Sequence, residues 1–264
     1  MIHARHDGAV TTVVMSRPPV NAIDPAFVAA FDAVLDEVDA RQPTLVVVRS
    51  DQRCFCAGAD LSLIRACFDE PGGTERMVAY VRTLHRLFDR IEALPAVTLA
   101  CICGPTLGGG LELALSCDLR IATTTATLGL PEARVGMIPG AGGTQRLTRL
   151  AGPGVAARLI LSADVVDGAE AERLGIVNWA VDDASFDAGI ARIADRVGGL
   201  SREALAASKD CMHAAFDPAV DGFARELEKP LALMRNPDSK ARVARFFAPK
   251  PTKLPLPQGG RGLG

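Results

Sequence analysis

The stretch GPTLGGGLELALSCD, residues 104–118, joins a run of glycines to a short apolar segment. The glycines at 108–110 come directly before Leu111 and Glu112. A run of glycines costs helix stability, so its presence indicates that the backbone must be approached closely here. The apolar residues that follow predict a short helix over 108–117. The unpaired N–H groups and the dipole at the start of this helix favour negative charge there.

A second glutamate, Glu132, follows a proline in GLPE, residues 129–132. A third segment, FCAGAD at 55–60, is a turn of small residues further upstream. Two carboxylates beside two such turns can hold an acid/base pair next to a pair of backbone N–H donors. Each segment alone is also compatible with an ordinary surface turn. Together the three segments carry the groups that acid/base chemistry would use.

The composition fits one large domain, or one domain with an appendage, in 264 residues. A hydrophobic fraction of 48% supplies ample core material, and the formal net charge of −2 indicates no general field for polyanions. The first residues lack the apolar stretch of a signal peptide, and no run approaches the roughly 18 apolar residues of a membrane helix. Seven cysteines without an export signal predict reduced thiols and a cytoplasmic protein.

Neither metal binding nor histidine-based catalysis is supported by the residue spacing. Cys54 and Cys56, like Cys101 and Cys103, are separated by one residue, whereas metal-binding pairs are usually separated by two to four. On a strand such residues share a face, so Cys101 and Cys103 are predicted to be small core residues. No recognisable cluster is formed by the four histidines at positions 3, 6, 85 and 213. We therefore predict no metal.

The alternation of short apolar strands with helices predicts an α/β fold with buried strands. Strands are predicted at 10–15, 45–48, 97–103, 119–122 and 176–181, and helices at 24–40, 61–68, 74–94, 108–117, 167–174, 184–197, 201–216 and 218–235. The segment 249–264 is rich in proline and glycine, which predicts a flexible tail. The predicted organisation is a core over 1–198, a C-terminal helical oligomerisation region over 199–248, and the tail.

In order and spacing these segments resemble the crotonase superfamily, the enoyl-CoA hydratases and isomerases. The matching stretches are residues 55–61, 104–118 and 128–147, with further likeness at 17–22 and 157–181. The resemblance runs from about residue 10 to about residue 235. It implies a crotonase-like spiral of ββα turns. It also implies that the C-terminal helices pack against neighbouring subunits in trimers, which pair into hexamers.

The resemblance also implies residue roles, carried over by motif position. The N–H groups of Ala57 and Gly109 would hold the enolate oxygen of a thioester. Glu112 would activate water for attack on the β-carbon, and Glu132 would exchange a proton with the α-carbon. Coenzyme A, as part of the substrate and not a separate cofactor, would bind through backbone contacts around Ala22, Ala57, Ala59, Asp60 and Leu61. The loop 140–144, which begins at Gly140, would line the water side of the site.

Several features leave the substrate and the reaction open. The segment 62–80 is predicted to border the acyl pocket, but it does not reveal the acyl length. Arg17, Lys250 and Lys253 are candidates for the CoA phosphates, while residues 239–246 depart from the family pattern and leave the C-terminal contacts in doubt. An enoyl-CoA isomerase, which needs Glu132 but not Glu112, is the nearest alternative. A specialised hydratase or lyase for an aromatic or branched acyl-CoA is another.

An RNA-binding role is the alternative from a different class. Arginines at positions 82, 86 and 90 would share one face of the predicted helix over 74–94. Acidic residues at 75, 89 and 92 accompany them, and the overall charge is slightly negative. We therefore predict a solvated or subunit-facing stripe and no nucleic-acid partner.

Overall fold

The computed structural model describes residues 1–248. The predicted tail, together with Lys250 and Lys253, lies outside the described residues. The chain divides into two compact units, one comprising Met1–Asp210 and the other beginning at Cys211. The predicted boundary after residue 198 falls in the turn between two helices and stays a prediction.

The described residues contain nine strands in two sheets. In chain order they are β1 (Ile2–Asp7), β2 (Val10–Met15), β3 (Leu45–Ser50), β4 (Val97–Ile102), β5 (Pro105–Leu107), β6 (Leu119–Thr123), β7 (Thr127–Gly129), β8 (Val165–Asp167) and β9 (Trp179–Val181). The larger sheet has the order β1-β2-β3-β4-β6-β9, antiparallel between β1 and β2 and parallel elsewhere. The smaller sheet has the order β5-β7-β8. The predicted α/β class is confirmed.

Ten α-helices accompany the strands within residues 1–248. They are α1 (Pro25–Arg41), α2 (Leu61–Asp69), α3 (Gly73–Ala93), α4 (Gly109–Leu115), α5 (Gly143–Leu161), α6 (Gly168–Arg173), α7 (Phe186–Gly198), α8 (Arg202–Ala214), α9 (Gly222–Arg235) and α10 (Pro237–Phe247). None of the helices described is long and apolar enough to cross a membrane.

The central strands are buried on both faces, as parallel strands covered by helices must be. Along β3, Val46 and Val48 pack into one apolar core, whereas Leu45 and Val47 pack into a second one. This alternation follows from the two-residue period of a strand. Cys101 lies fully buried in the second core, and the half-buried Cys103 packs against it, as predicted from their spacing.

Several predicted boundaries differ from the structure for local reasons. The strand predicted over 176–181 begins only at Trp179, because the N–H groups of Ile176 and Val177 donate to the carbonyl of Ala171 in the turn after α6. The helix predicted over 218–235 begins at Gly222, because the Asp221 side chain caps it there. The short strands β5, β7 and β8 were not predicted, since three residues show no usable periodicity.

Candidate active site

Strand pairing brings the three sequence motifs together. Strands β5 and β7 are parallel, and their last residues, Leu107 and Gly129, are partners in the register. Because both strands end at the same edge, the glycine run that leads to Glu112 and the proline that leads to Glu132 emerge side by side. Cys56 forms an isolated bridge with Thr106 of β5, which adds the FCAGAD turn to the same edge. Motifs about fifty residues apart in the chain thus meet through a few backbone hydrogen bonds.

These motifs line a cavity of about 300 Å³ in the first unit. Of the predicted site residues, the cavity is lined by Ala57, Ala59, Leu61, Gly109, Glu112, Glu132 and Gly140. Apolar side chains of α2 and α3 form another part of its wall: Leu61, Ile64, Met77, Tyr80, Val81 and Leu84. Within the segment 62–80, Ile64, Met77 and Tyr80 line this cavity, while the assignment of the segment to an acyl pocket stays a prediction.

Glu112 is buried inside α4, with 3% of its surface exposed. Its Oε1 accepts hydrogen bonds from the N–H of Ala141 at 2.7 Å and from the N–H of Gly143 at 2.8 Å. Burial raises the pKa of Glu112 above its ordinary value, while these two N–H groups act in the opposite direction. A Cβ at Gly143 would lie 3.0 Å from Oε1, a tight contact, so a glycine here lets the loop approach the carboxylate without displacing it.

Glu132 opens a short 3₁₀ turn, Glu132–Val135, directly after Pro131. Its Oε2 is buried, and no hydrogen-bond partner for it occurs within the described part of the chain. Burial, and to a lesser extent the nearby carboxyl of Glu112, raise the pKa of Glu132 to about 7. Gly108 has a φ of +53°, and a Cβ there would lie 2.9 Å from Glu132 Oε1. Glycine at this position therefore leaves room for the second carboxylate.

The structure contradicts one of the two predicted oxyanion donors. The N–H of Ala57 donates to the carbonyl of Val20 at 3.0 Å, so the prediction that it holds the substrate oxygen is wrong for this structure. The bridge between Ile23 and Ala59 is formed by the Gly58 carbonyl and the Asp60 N–H, which both bond to Ile23. The N–H of Ala59 therefore has no acceptor among residues 1–248.

Ala59 lies beside the other predicted donor. Gly109 begins α4, so its N–H has no partner within the helix. A Cβ built on Gly109 would lie 3.5 Å from the nitrogen of Ala59, which shows how closely the two residues approach. The pair of N–H groups available at this point of the cavity is therefore that of Ala59 and Gly109.

Some predicted CoA contacts are engaged elsewhere. The Asp60 carboxylate caps α2 by accepting from the N–H of Ser62 at 2.8 Å and does not line the cavity; neither does Ala22. Both terminal nitrogens of Arg17 donate to the carboxylate of Asp24, which leaves that guanidinium committed to an ion pair.

Arg90, one of the three arginines of the stripe on α3, is engaged in ion pairs. Arg90 binds the carboxylates of Asp32, Asp36 and Asp39, all on α1. An arginine surrounded in this way neutralises acidic neighbours and contributes little positive field for a polyanion.

Sequence reasoning missed how Glu112 is held. The loop over 140–144 was expected to line the water side, and the structure shows in addition that the N–H groups of Ala141 and Gly143 bind the carboxylate directly. The outer side of the loop is held by His85, whose Nε2 lies 2.7 Å from the Gly140 carbonyl oxygen, and by Arg146, which donates to the Ala141 carbonyl at 3.2 Å. A lone histidine on a helix carries no motif that would have revealed this contact.

Tyr80 is a rigid part of the wall. It is 7% exposed, and its hydroxyl donates to the carbonyl of Ile23 at 2.8 Å. A second cavity of about 480 Å³ lies among α1, α2 and α3, and among the described residues Tyr80 alone lines both cavities.

Comparison with known proteins shows the family of the chain. A family profile described as Enoyl-CoA hydratase/isomerase matches residues 5–243. The chain is 33% identical over 218 residues to the short-chain-enoyl-CoA hydratase of Clostridium acetobutylicum, covering 81% of this chain and 82% of that protein. It is 42% identical over 178 residues to the human enoyl-CoA hydratase domain-containing protein 2, mitochondrial, covering 66% of this chain but only 59% of that protein.

A solved structure shows the same fold. The enoyl-CoA hydratase from Bacillus anthracis superposes with a TM-score of 0.85 at 28% identity, covering 93% of this chain and 95% of that one. The predicted crotonase-like fold is thereby confirmed. The chain belongs to the enoyl-CoA hydratase/isomerase family.

Proposed function

We propose that this protein is an enoyl-CoA hydratase, which adds water across the 2,3 double bond of a trans-2-enoyl-CoA. The carrying observation is a pair of carboxylates in one cavity: the buried Glu112, held by two N–H groups, and the half-buried Glu132, with a pKa of about 7. Two carboxyls in different environments are what an acid/base reaction at adjacent carbons requires. The family and its hydratase-named relatives support this assignment.

The proposed mechanism assigns one role to each group. Ionised Glu112 accepts a proton from water as the water oxygen bonds to the β-carbon. Protonated Glu132 delivers its proton to the α-carbon. Transfer of the water-derived proton from Glu112 back to Glu132 restores both carboxyls, so each turnover consumes one water. The N–H groups of Ala59 and Gly109 hold the thioester oxygen while it carries the enolate charge, a contribution typically worth a factor of about 10² to 10³ for each donor.

The substrate would be an acyl-CoA whose acyl chain lies against the apolar wall from α2 and α3, in fatty-acid oxidation or related acyl-CoA breakdown. Coenzyme A enters as part of the substrate, and we propose no separate cofactor. We also propose a cytoplasmic location, supported by seven cysteines that are all unpaired.

We further propose assembly into trimers that pair as hexamers. Exposed large apolar residues on α9 and α10, among them Phe223, Leu227, Leu231 and Phe246, support an association surface. Sedimentation at micromolar concentration should give a closed oligomer, and a monomer would refute this part of the proposal.

The test of the function is a turnover assay across crotonyl-, octenoyl- and aromatic enoyl-CoA esters, following loss of the conjugated double bond. We expect hydration of at least one ester by the wild type and its loss in Glu112→Gln. If the wild type shifts the position of the double bond but hydrates none of the esters, the proposed activity changes from hydratase to isomerase. Inactivity on every ester in both reactions would refute an acyl-CoA role for the site.

A further inference from the structure

His85 of α3 contacts the same peptide group that holds Glu112. Its Nε2 lies 2.7 Å from the carbonyl oxygen of Gly140, and the N–H at the other end of that peptide unit, on Ala141, donates to Glu112 Oε1 at 2.7 Å. A carbonyl oxygen only accepts hydrogen bonds, so the His85 Nε2 must carry the proton. One peptide plane therefore links the imidazole to the carboxylate.

This linkage acts on Glu112 in two ways. The peptide group is planar, so fixing the direction of its carbonyl also fixes the direction of its N–H. A peptide whose carbonyl accepts a hydrogen bond is also more strongly polarised, which strengthens the bond that its N–H donates. Both effects stabilise the ionised form of Glu112 in one orientation.

The loop is supported from the same face of α3 at a second point. Arg146 donates to the Ala141 carbonyl, and its guanidinium is held in turn by Asp89 at 2.6 Å and Glu92 at 2.7 Å. His85, Asp89 and Glu92 are four and seven residues apart and share one face of the helix. The charged and titratable groups that act on Glu112 are thus His85 from α3, Arg146 from α5 and Glu132 from the 3₁₀ turn.

We propose that His85 is a positioning residue that acts through the peptide between Gly140 and Ala141 to hold the Glu112 carboxylate in its working orientation. The effect on turnover rests on the proposed function, whereas the effect on the titration of Glu112 does not. A matched pair of substitutions separates the hydrogen bond from the mere presence of a side chain. His85→Gln retains an N–H donor that can reach the Gly140 carbonyl, and His85→Leu removes it.

The experiment measures the titration of Glu112 by infrared difference spectroscopy, taking each protein against its own Glu112→Gln version, and measures kcat and KM with an enoyl-CoA. In His85→Leu we expect Glu112 to become protonated at higher pH than in the wild type. We expect kcat to fall about tenfold with KM changed less than about twofold, as for the loss of one supporting hydrogen bond. His85→Gln should resemble the wild type in both measurements.

Controls cover folding and specificity. His6→Leu makes the same change at another half-buried histidine, which contacts Thr11 and does not line the cavity, and it should alter neither measurement. Should His85→Leu fail to fold, His85→Met provides a second side chain without a donor.

An unchanged Glu112 titration in His85→Leu would overturn the proposal. So would an equal shift in His85→Gln, because the imidazole charge and not the hydrogen bond would then be responsible. A wild type that hydrates no enoyl-CoA refutes the proposed function alone, since the infrared comparison still decides the role of His85.

Discussion

Replacing Glu132 by glutamine should change the free energy of unfolding more favourably at alkaline pH than at acidic pH. The pKa of Glu132 rises from an ordinary value of 4.5 to about 7 in the folded protein, chiefly through burial. Ionisation of this carboxyl is therefore harder in the folded chain than in the unfolded chain. Below the pKa of Glu132 in the unfolded chain, its ionisation costs the folded state no stability. This cost grows between the two pKa values and is complete above about pH 7.

The size of the effect follows from the same two values. The full rise in pKa corresponds to about 3 kcal/mol of unfolding free energy. Glu132 is half-buried beside an open cavity, so solvent screens its charge, and we expect about 1–2 kcal/mol. The stability of Glu132→Gln relative to wild type should therefore rise by this amount between about pH 5 and about pH 8.5. The glutamine amide also has a cost of its own, because it replaces Oε2, which has no partner within residues 1–248. This cost does not depend on pH, so it cancels when the stability changes at the two pH values are subtracted.

Reversible urea unfolding of both proteins at both pH values measures this difference. Glu170→Gln is the matched control, because ion pairs with Arg173 and Arg158 hold the pKa of Glu170 at about 2. The pKa values of Glu170 in the folded and unfolded chain both lie below the pH range tested. The loss of stability in Glu170→Gln should therefore stay nearly constant. A stability gap for Glu132→Gln that is the same at both pH values would show that Glu132 ionises as readily in the folded protein as in the unfolded chain. The assignment of Glu132 as the proton donor would then lose its physical basis.

Three further sets of substitutions test the proposed roles. Glu112→Gln and Glu132→Gln should each lower the hydration rate by about 10² to 10⁴, but Glu112→Gln should retain more deuterium exchange at the α-carbon, since that step uses mainly Glu132; equal loss of both reactions contradicts this division. Gly109→Pro removes one oxyanion donor and should lower kcat by about 10² to 10³, whereas Gly109→Ala keeps the N–H and should retain more activity. A folded Gly109→Pro with near-normal turnover refutes the assignment of the Gly109 N–H as an oxyanion donor. Tyr80→Ala should join the two cavities and raise the rate on long enoyl-CoA esters relative to short ones. Tyr80→Phe, which keeps the wall, is the control. An unchanged ratio of the two rates shows that this wall does not limit acyl length.

The sequence predicted the chemistry of the site better than its hydrogen bonding. Gly109 stands out because a glycine run costs helix stability, and Glu112 and Glu132 stand out because they follow small-residue turns at the motif positions of the family. The choice between Ala57 and Ala59 as a donor has no such signal. It depends on whether each N–H already has a partner, and this is decided by pairing with Val20 and Ile23, far away in the chain.

The fold was predicted where elements are long and periodic. Helices α1, α2 and α3 lie within about two residues of their expected bounds, because their apolar stripes and their breaks are clear in the sequence. Strands β5 and β7 are only three residues long, and they are set by their partners instead of by their own residues. The pairing that assembles the site was thus the least visible part of the sequence.

The three-residue pairing of β5 with β7 separates two kinds of sequence change. Deleting one residue between Leu119 and Gly129 would slide Pro131 and Glu132 along β5, so that the carboxylate no longer fits beside Gly108. Substitutions in α2 and α3 change the apolar wall without altering that register. Libraries that vary Ile64, Met77 and Tyr80 could therefore explore acyl specificity on an unchanged reaction centre, whereas insertions or deletions in the β6–β7 segment should abolish activity whatever the substrate.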